Sequence, residues 1–285
     1  MAFTKLTTAL NLPRLNGNGP NRYTDTNEFF SPGVLVAYHA RPAGVVYPSL
    51  ADKAAVNAAA VQARNIIRIA NDEMAKVVIL RRDESPVFTA TMARHFNLLS
   101  DGTLAGGTLV ENVVNKPFKL GAIFRHDRRW ALEKIRQGML SLSFHLNTGM
   151  YLIDMDNANR TVAGGNIVPA GTALPANTEA YVYQWGAGRP LCGFRNGEIH
   201  IDFQMMNNYT LNSGARVIVH EAGHKFLDVV DTFYAHNPNY PPALNLCLTA
   251  NADSFAWAAV SLATGVLAMP NHLSTDWNQC FGPAL

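Results

Sequence analysis

The stretch LADKAAVNAAAVQARNIIRIANDEMAKV, residues 50 to 77, contains neither glycine nor proline. It is rich in alanine, the residue that loses least on entering a helix, and its apolar side chains recur at helical spacing. So long a helix fixes much of the chain's design, and strands elsewhere must share a core with helices. A second helix is expected over SPVFTATMARHFNLL, with Ser85 as N-cap and Pro86 at the first helical position. Another is expected from about Asn212, and NADSFAWAAVSLATG gives a last one that stops at Gly265.

Residues 105 to 205 read differently. LSLSFHL, GMYLIDMD, EAYVYQW and EIHIDFQM look like short strands set among glycine-rich turns. IHIDF alternates apolar and polar residues, so one face should be buried and the other left for solvent or a ligand. In FRHDRRWALEKIRQG, residues 124 to 138, Trp130, Leu132 and Ile135 fit one stripe of a helix ending at Gly138, whose basic face reads as solvated or, as the alternative, as a surface for an anionic contact. Residues 1 to 47 are rich in Asn, Gly and Pro with one strand-like run, GVLVAYHA. They read as an arm or small β element preceding a domain over residues 48 to 285. The fold class expected is α+β, with helices early and late and a small sheet between them.

A formal charge of +2 gives no reason to expect nucleic acid or anionic lipid as the main partner. No segment approaches the length of a membrane span, and the N-terminal residues lack the apolar run of a signal peptide. The expectation is a soluble chain, either cytoplasmic, exported by a route without a cleaved leader, or a processed form. Cys192, Cys247 and Cys280 are widely spaced and odd in number, which excludes a dense disulfide framework.

Chemistry concentrates in HEAGHKFLDVVDTFY, residues 220 to 234. His220 and His224 stand four apart, so on a helix both imidazoles project from one face toward a shared point. Glu221 falls beside that point, where it can take a proton from a metal-bound water and pass it to a leaving amine. Two histidines leave a third protein ligand to be found. The metzincin pattern needs Gly and His three and six residues after the second histidine; Leu227 and Val230 stand there. A thermolysin-like third ligand is a later glutamate, and Glu221 is the last glutamate in the chain. The candidates left are Asp228, Asp231, His236, Asp253, His272 and Asp276. On a straight helix Asp228 would lie about 9 Å along the axis from the histidine pair, and Asp231 about 13 Å. Neither carboxylate reaches that far, so a ligand from this stretch requires the helix to end between Phe226 and Val230 and the chain to turn back.

Asp231-Thr232-Phe233-Tyr234 and Asn251-Ala252-Asp253-Ser254-Phe255 follow the two-histidine motif in order. With that motif they resemble the aspartate-zincin metallopeptidases, the family of deuterolysin and the lysine-specific metallo-endopeptidases. The resemblance covers residues 198 to 265. It implies a zincin-like metallopeptidase fold with long N-terminal helices, a small mixed sheet and the HExxH helix. It also implies a zinc-dependent endopeptidase acting on proteins or peptides, with one Zn2+ per chain held by His220, His224 and Asp231. Glu221 would be the general base, and Tyr234 would donate a hydrogen bond to the oxyanion. An extended substrate would add along the strand holding Ile199 and Ile201, with Asp253 near the pocket beyond the scissile bond. Lysine-specific members carry a glutamate where this chain has Ala256, so a leaning toward basic residues is implied rather than strict lysine selectivity.

Overall fold

The computed structural model describes residues 4–5, 26–31, 33–38, 48–100, 128–154, 178–182, 198–227, 229, 234–236, 240 and 251–270. The chain divides into two compact units. One holds Met1–Ala63 and Phe144–Phe226, the other Arg64–Ser143 and Leu227–Leu285.

The first unit contains a six-stranded mixed sheet. Its strands are β1 (Thr4–Lys5), β2 (Thr26–Ser31), β3 (Val34–Tyr38), β4 (Met150–Asp154), β5 (Ala180–Tyr181) and β6 (Glu198–Ile201), in the spatial order β1-β2-β3-β4-β6-β5. β3, β4 and β6 run parallel, and β5 closes the series antiparallel to β6. The expected arm over residues 1 to 47 thus supplies three strands to the same sheet as β4 and β6. Parallel strands need cover on both faces, and the burial agrees: Leu152 and Ile153 are consecutive and buried, as are Ile199, His200 and Ile201. The half-exposed strand expected from IHIDF is therefore corrected to an interior one. Its alternation reflects a histidine buried among isoleucines, stacked on the Tyr181 ring at 4.4 Å between centroids.

Helix α1 (Leu50–Val78) realises the alanine-rich stretch. Ser49 and Asp52 start it reciprocally: the Asp52 N–H donates to Ser49 Oγ, and the Ser49 N–H to Asp52 Oδ2. In the first unit its early turns meet α5 (Leu211–Ala222), where a Cβ on Gly214 would lie 3.0 Å from Ala59 Cβ and from Met206 Cε. Gln62 also donates to Asn212 at 2.8 Å. A short α4 (Phe203–Asn207), capped by Asp202, connects β6 toward α5.

The second unit is built on α2 (Pro86–Phe96) and α6 (Ala252–Thr264), with the later part of α1 and most of α3 (Arg128–Thr148). α2 begins at Ser85 and Pro86 as expected, with Ser85 Oγ accepting from the Phe88 N–H. α3 overturns two expectations at once: it does not end at Gly138, and LSLSFHL is its last turns rather than a strand. Buried Ile135, Met139, Leu142 and Leu146 keep the helical period straight through the glycine. Gly138 is there for room, since a Cβ would come within 2.5 Å of the Phe255 ring. No helix among the described residues is long and apolar enough to cross a membrane.

Candidate metal centre

His220 and Glu221 sit in the last turn of α5, within a run that is buried from Ser213 to Ala222. Helix α5 starts at Thr210, whose Oγ1 accepts from the Ser213 N–H. It is held laterally by an ion pair from Arg216, four residues before His220, to Glu179 at 2.9 Å; the two side chains are only 6% and 16% exposed. Glu179 is a junction. Its other carboxylate oxygen accepts from the Tyr209 hydroxyl at 2.6 Å, and its carbonyl accepts from the Asp202 N–H, just past β6. One glutamate beside β5 thus fixes α5 against the sheet. The spacing of Arg216 and His220 puts them on one helix face, whereas the partner Glu179 lies far along the chain, where no spacing reports it.

After Ala222 the helix widens into a single π-helical turn, Gly223–Leu227, that carries His224. Val229 lies outside any helix, so the stop falls within the interval required for a third ligand. π-turns are energetically poor inserts and are found disproportionately at functional sites. Here the turn leaves the His220 and His224 Nε2 atoms 3.1 Å apart, the rings nearly perpendicular at 79°. Two nitrogens on one tetrahedral zinc, each 2.0–2.1 Å from the metal, are separated by about 3.3–3.4 Å. The pair matches two corners of such a site. It is equally a good N–H···N distance, with one imidazole donating to the other.

Glu221 is buried at 6% exposure beside this pair. Lys225, within the same π-turn, is buried as well and stands close enough to His200 to act on its titration. Burial first, and then that lysine charge, pushes the His200 imidazole down to about 3. His200 is therefore a neutral core residue. Phe226 stacks on His145 of α3 at 4.5 Å, which packs the end of the π-turn.

Asp228 and Asp231 lie outside the described residues, as do Cys192, Cys247, Cys280, His272 and Asp276. Among the described residues no group of three His, Cys, Asp or Glu side chains meets at a common point. Ile199 and Ile201 are fully buried core residues. β6 is also not an outer strand: β4 pairs along one side, and Ala180 and Tyr181 pair with Ile201 and His200 on the other. The edge strand expected there is corrected to β5, the last strand in the sheet order.

Tyr234 and Asp253 belong to the second unit. Tyr234 is 41% exposed, not core packing, and its ring stacks on His236 at 5.5 Å. Asp253 is buried in the first turn of α6, where Oδ2 accepts from the Ala235 N–H at 2.7 Å. A carboxylate suits a helix N-terminus, and a charge-assisted bond to a backbone amide is worth about 1.5–3 kcal/mol. Asp253 therefore anchors the loop residue next to Tyr234. The N-cap position belongs to Asn251, whose side chain donates to Ser254 instead.

Behind this loop runs a buried polar chain. The Tyr240 hydroxyl meets His95 Nδ1 at 2.9 Å, and His95 Nε2 meets Ser261 Oγ at 3.3 Å. Burial, reinforced by the Arg94 charge, pushes His95 down to about 3. Comparison of the chain with protein-family models, with curated proteins and with solved structures finds no match.

Proposed function

We propose that the chain is a zinc-dependent endopeptidase, with His220, His224 and Asp231 as metal ligands and Glu221 as general base. The observation that carries this reading is the 3.1 Å approach of the two Nε2 atoms beside a buried glutamate, across a helix that widens and stops there. Bound zinc supplies a Lewis acid for the peptide carbonyl and makes a water acidic enough to be deprotonated near neutral pH. Glu221 would take up a proton there and return it to the leaving amine, a role suited to a carboxylate screened from bulk water. Tyr234, exposed beside Ala235, whose N–H is held by Asp253, would donate a hydrogen bond to the oxyanion. Asp253 acts in this scheme by positioning that segment. An extended substrate pairs with the outer side of β5, and a leaning toward basic residues is the selectivity proposed.

The 3.1 Å contact also supports a second reading, in which the two histidines simply hydrogen-bond each other and the protein is an inactive binding or structural module. Metal analysis and casein hydrolysis separate the two. The first reading expects about one zinc per chain and cleavage lost in Glu221→Gln with zinc retained. Purified protein without zinc sinks it, and zinc without cleavage in the wild type favours the module.

A further inference from the structure

In the second unit, an open cleft of about 380 Å3 is lined by side chains from the end of α1 and the start of α3. That volume is within the range of small-molecule sites. Val77, Val78 and Leu132 give it an apolar part. Arg128 lines it but is committed: Nε donates to Glu84 Oε1 at 2.7 Å, a second guanidinium nitrogen bonds Glu84 Oε2, and a third bonds the Leu98 carbonyl at 3.0 Å and that of Leu99. Burial works to raise the Glu84 carboxyl, but its bonds from Arg128 prevail and hold it below the ordinary carboxylate value. This pair is a fixed, neutral wall.

Arg81, Arg82 and Arg129 also line the cleft, and among the described lining residues Asp83 is the one acid besides the paired Glu84, which leaves an excess of two positive charges there. Among the described residues none of the three enters an ion pair. Arg81 takes φ 55° just past the end of α1, where the Arg82 N–H bonds back to the Lys76 carbonyl and the helix stops. Arg129 follows Arg128 in the first turn of α3.

We propose that this cleft binds the phosphate group of a small ligand that also has an apolar part. A phosphate monoester carries close to two negative charges and three acceptor oxygens, matching the charge excess. Three guanidinium forks offer more donors than one carboxylate can accept, and arginine's planar fork pairs with phosphate oxygens two at a time.

Calorimetric titration of the full chain at low ionic strength tests this, with inorganic phosphate and phenyl phosphate as probes. Saturable binding at one site is expected for both, tighter for phenyl phosphate because of the apolar lining. Arg129→Ala and Arg81→Gly should each weaken it at least tenfold. Glycine accepts φ 55° readily, so Arg81→Gly should stay folded, as its melting curve will show. Arg68→Ala, on an exposed face of α1 where Arg68 pairs with Asp72, should leave affinity unchanged. The proposal is overturned if neither probe saturates, if folded cleft variants bind like wild type, or if Arg68→Ala weakens binding as much as they do.

Discussion

Helix α6 ends on Gly265, which takes φ 69° and donates its N–H to the Ser261 carbonyl; α5 runs through its own glycine and ends elsewhere. Gly223 sits at φ −56° and ψ −51°, ordinary helical values, and the chain continues through a π-turn to Leu227. The first ending is local: a left-handed glycine donates to the Ser261 carbonyl, which also accepts from the nearby Thr264 hydroxyl at 3.5 Å. The second follows from no local rule, because nothing between His224 and Val229 favours a wide turn. What that turn does is carry His224 to within 3.1 Å of His220. The contrast separates a helix end closed by its own glycine from one at which two imidazoles meet, the end to which the proposed function assigns its chemistry.

The sharpest way to break this contrast is to ask whether the ending of α5 serves a third ligand. Asp231→Ala is expected to lower zinc affinity by more than about 100-fold, beyond the usual effect of removing a group behind the ligands. Asp228→Ala should leave affinity within a few-fold of wild type. Competition with a chromophoric chelator measures both, and a reversed order would move the third ligand to Asp228.

Next in size is the clamp that holds α5 from the side. Arg216→Ala strands Glu179 at the junction of β5, β6 and α5. Removing one partner of a buried ion pair typically loses about 3–5 kcal/mol. Urea unfolding should show that loss, and a shift of under 1 kcal/mol would mean α5 is held by its apolar face alone. α6 is tied to the rest of its unit by neutral and backbone partners, the Tyr240–His95–Ser261 chain and the Asp253 bond from the Ala235 N–H.

That chain makes the α6 side sensitive to acid. In the unfolded protein His95 takes up a proton near its ordinary value of 6.5, while in the folded protein it stays neutral down to about 3. Between those values the unfolded state holds the extra proton, so stability is full above about pH 6.5 and falls as pH falls. One such group contributes about 1.4 kcal/mol per pH unit. His200, also held down to about 3, adds a second slope of the same sign. His95→Gln keeps donors and acceptors but does not titrate, and should roughly halve the acid slope measured between pH 6 and 4.5. An unchanged slope would show that His95 is protonated in the folded state.

Legibility in the sequence follows the same line between local and distant causes. Ser85, Pro86 and Gly265 marked their helix ends correctly because caps and stops depend on a few neighbouring residues. Gly138 was misleading because its reason is Phe255, far along the chain, whose ring occupies the space of a Cβ. IHIDF suggested a half-exposed strand because a buried histidine looks like a polar residue until its stacking partner Tyr181 is known. At the candidate site, the spacing of His220, Glu221 and His224 was readable on a helix. The π-turn, the Glu179–Arg216 clamp and the tether from Asp253 to Ala235 depend on packing and long-range partners, which no periodicity reports.

The smallest effect returns to the ending of α6. Gly265→Ala puts a side chain on a residue at φ 69°, where nothing lies within 4 Å of the new Cβ. Crowding is therefore absent, and the change isolates the backbone conformation. An L-residue in the left-handed region loses about 1 kcal/mol net relative to glycine, the conformational cost being partly offset by glycine's greater freedom in the unfolded chain. The expected result is a loss of about that size in urea unfolding, with zinc content and hydrolysis unchanged, since this ending only terminates a helix. A change in either property at unchanged stability would show that the end of α6 also serves the site, and the contrast with α5 would fail.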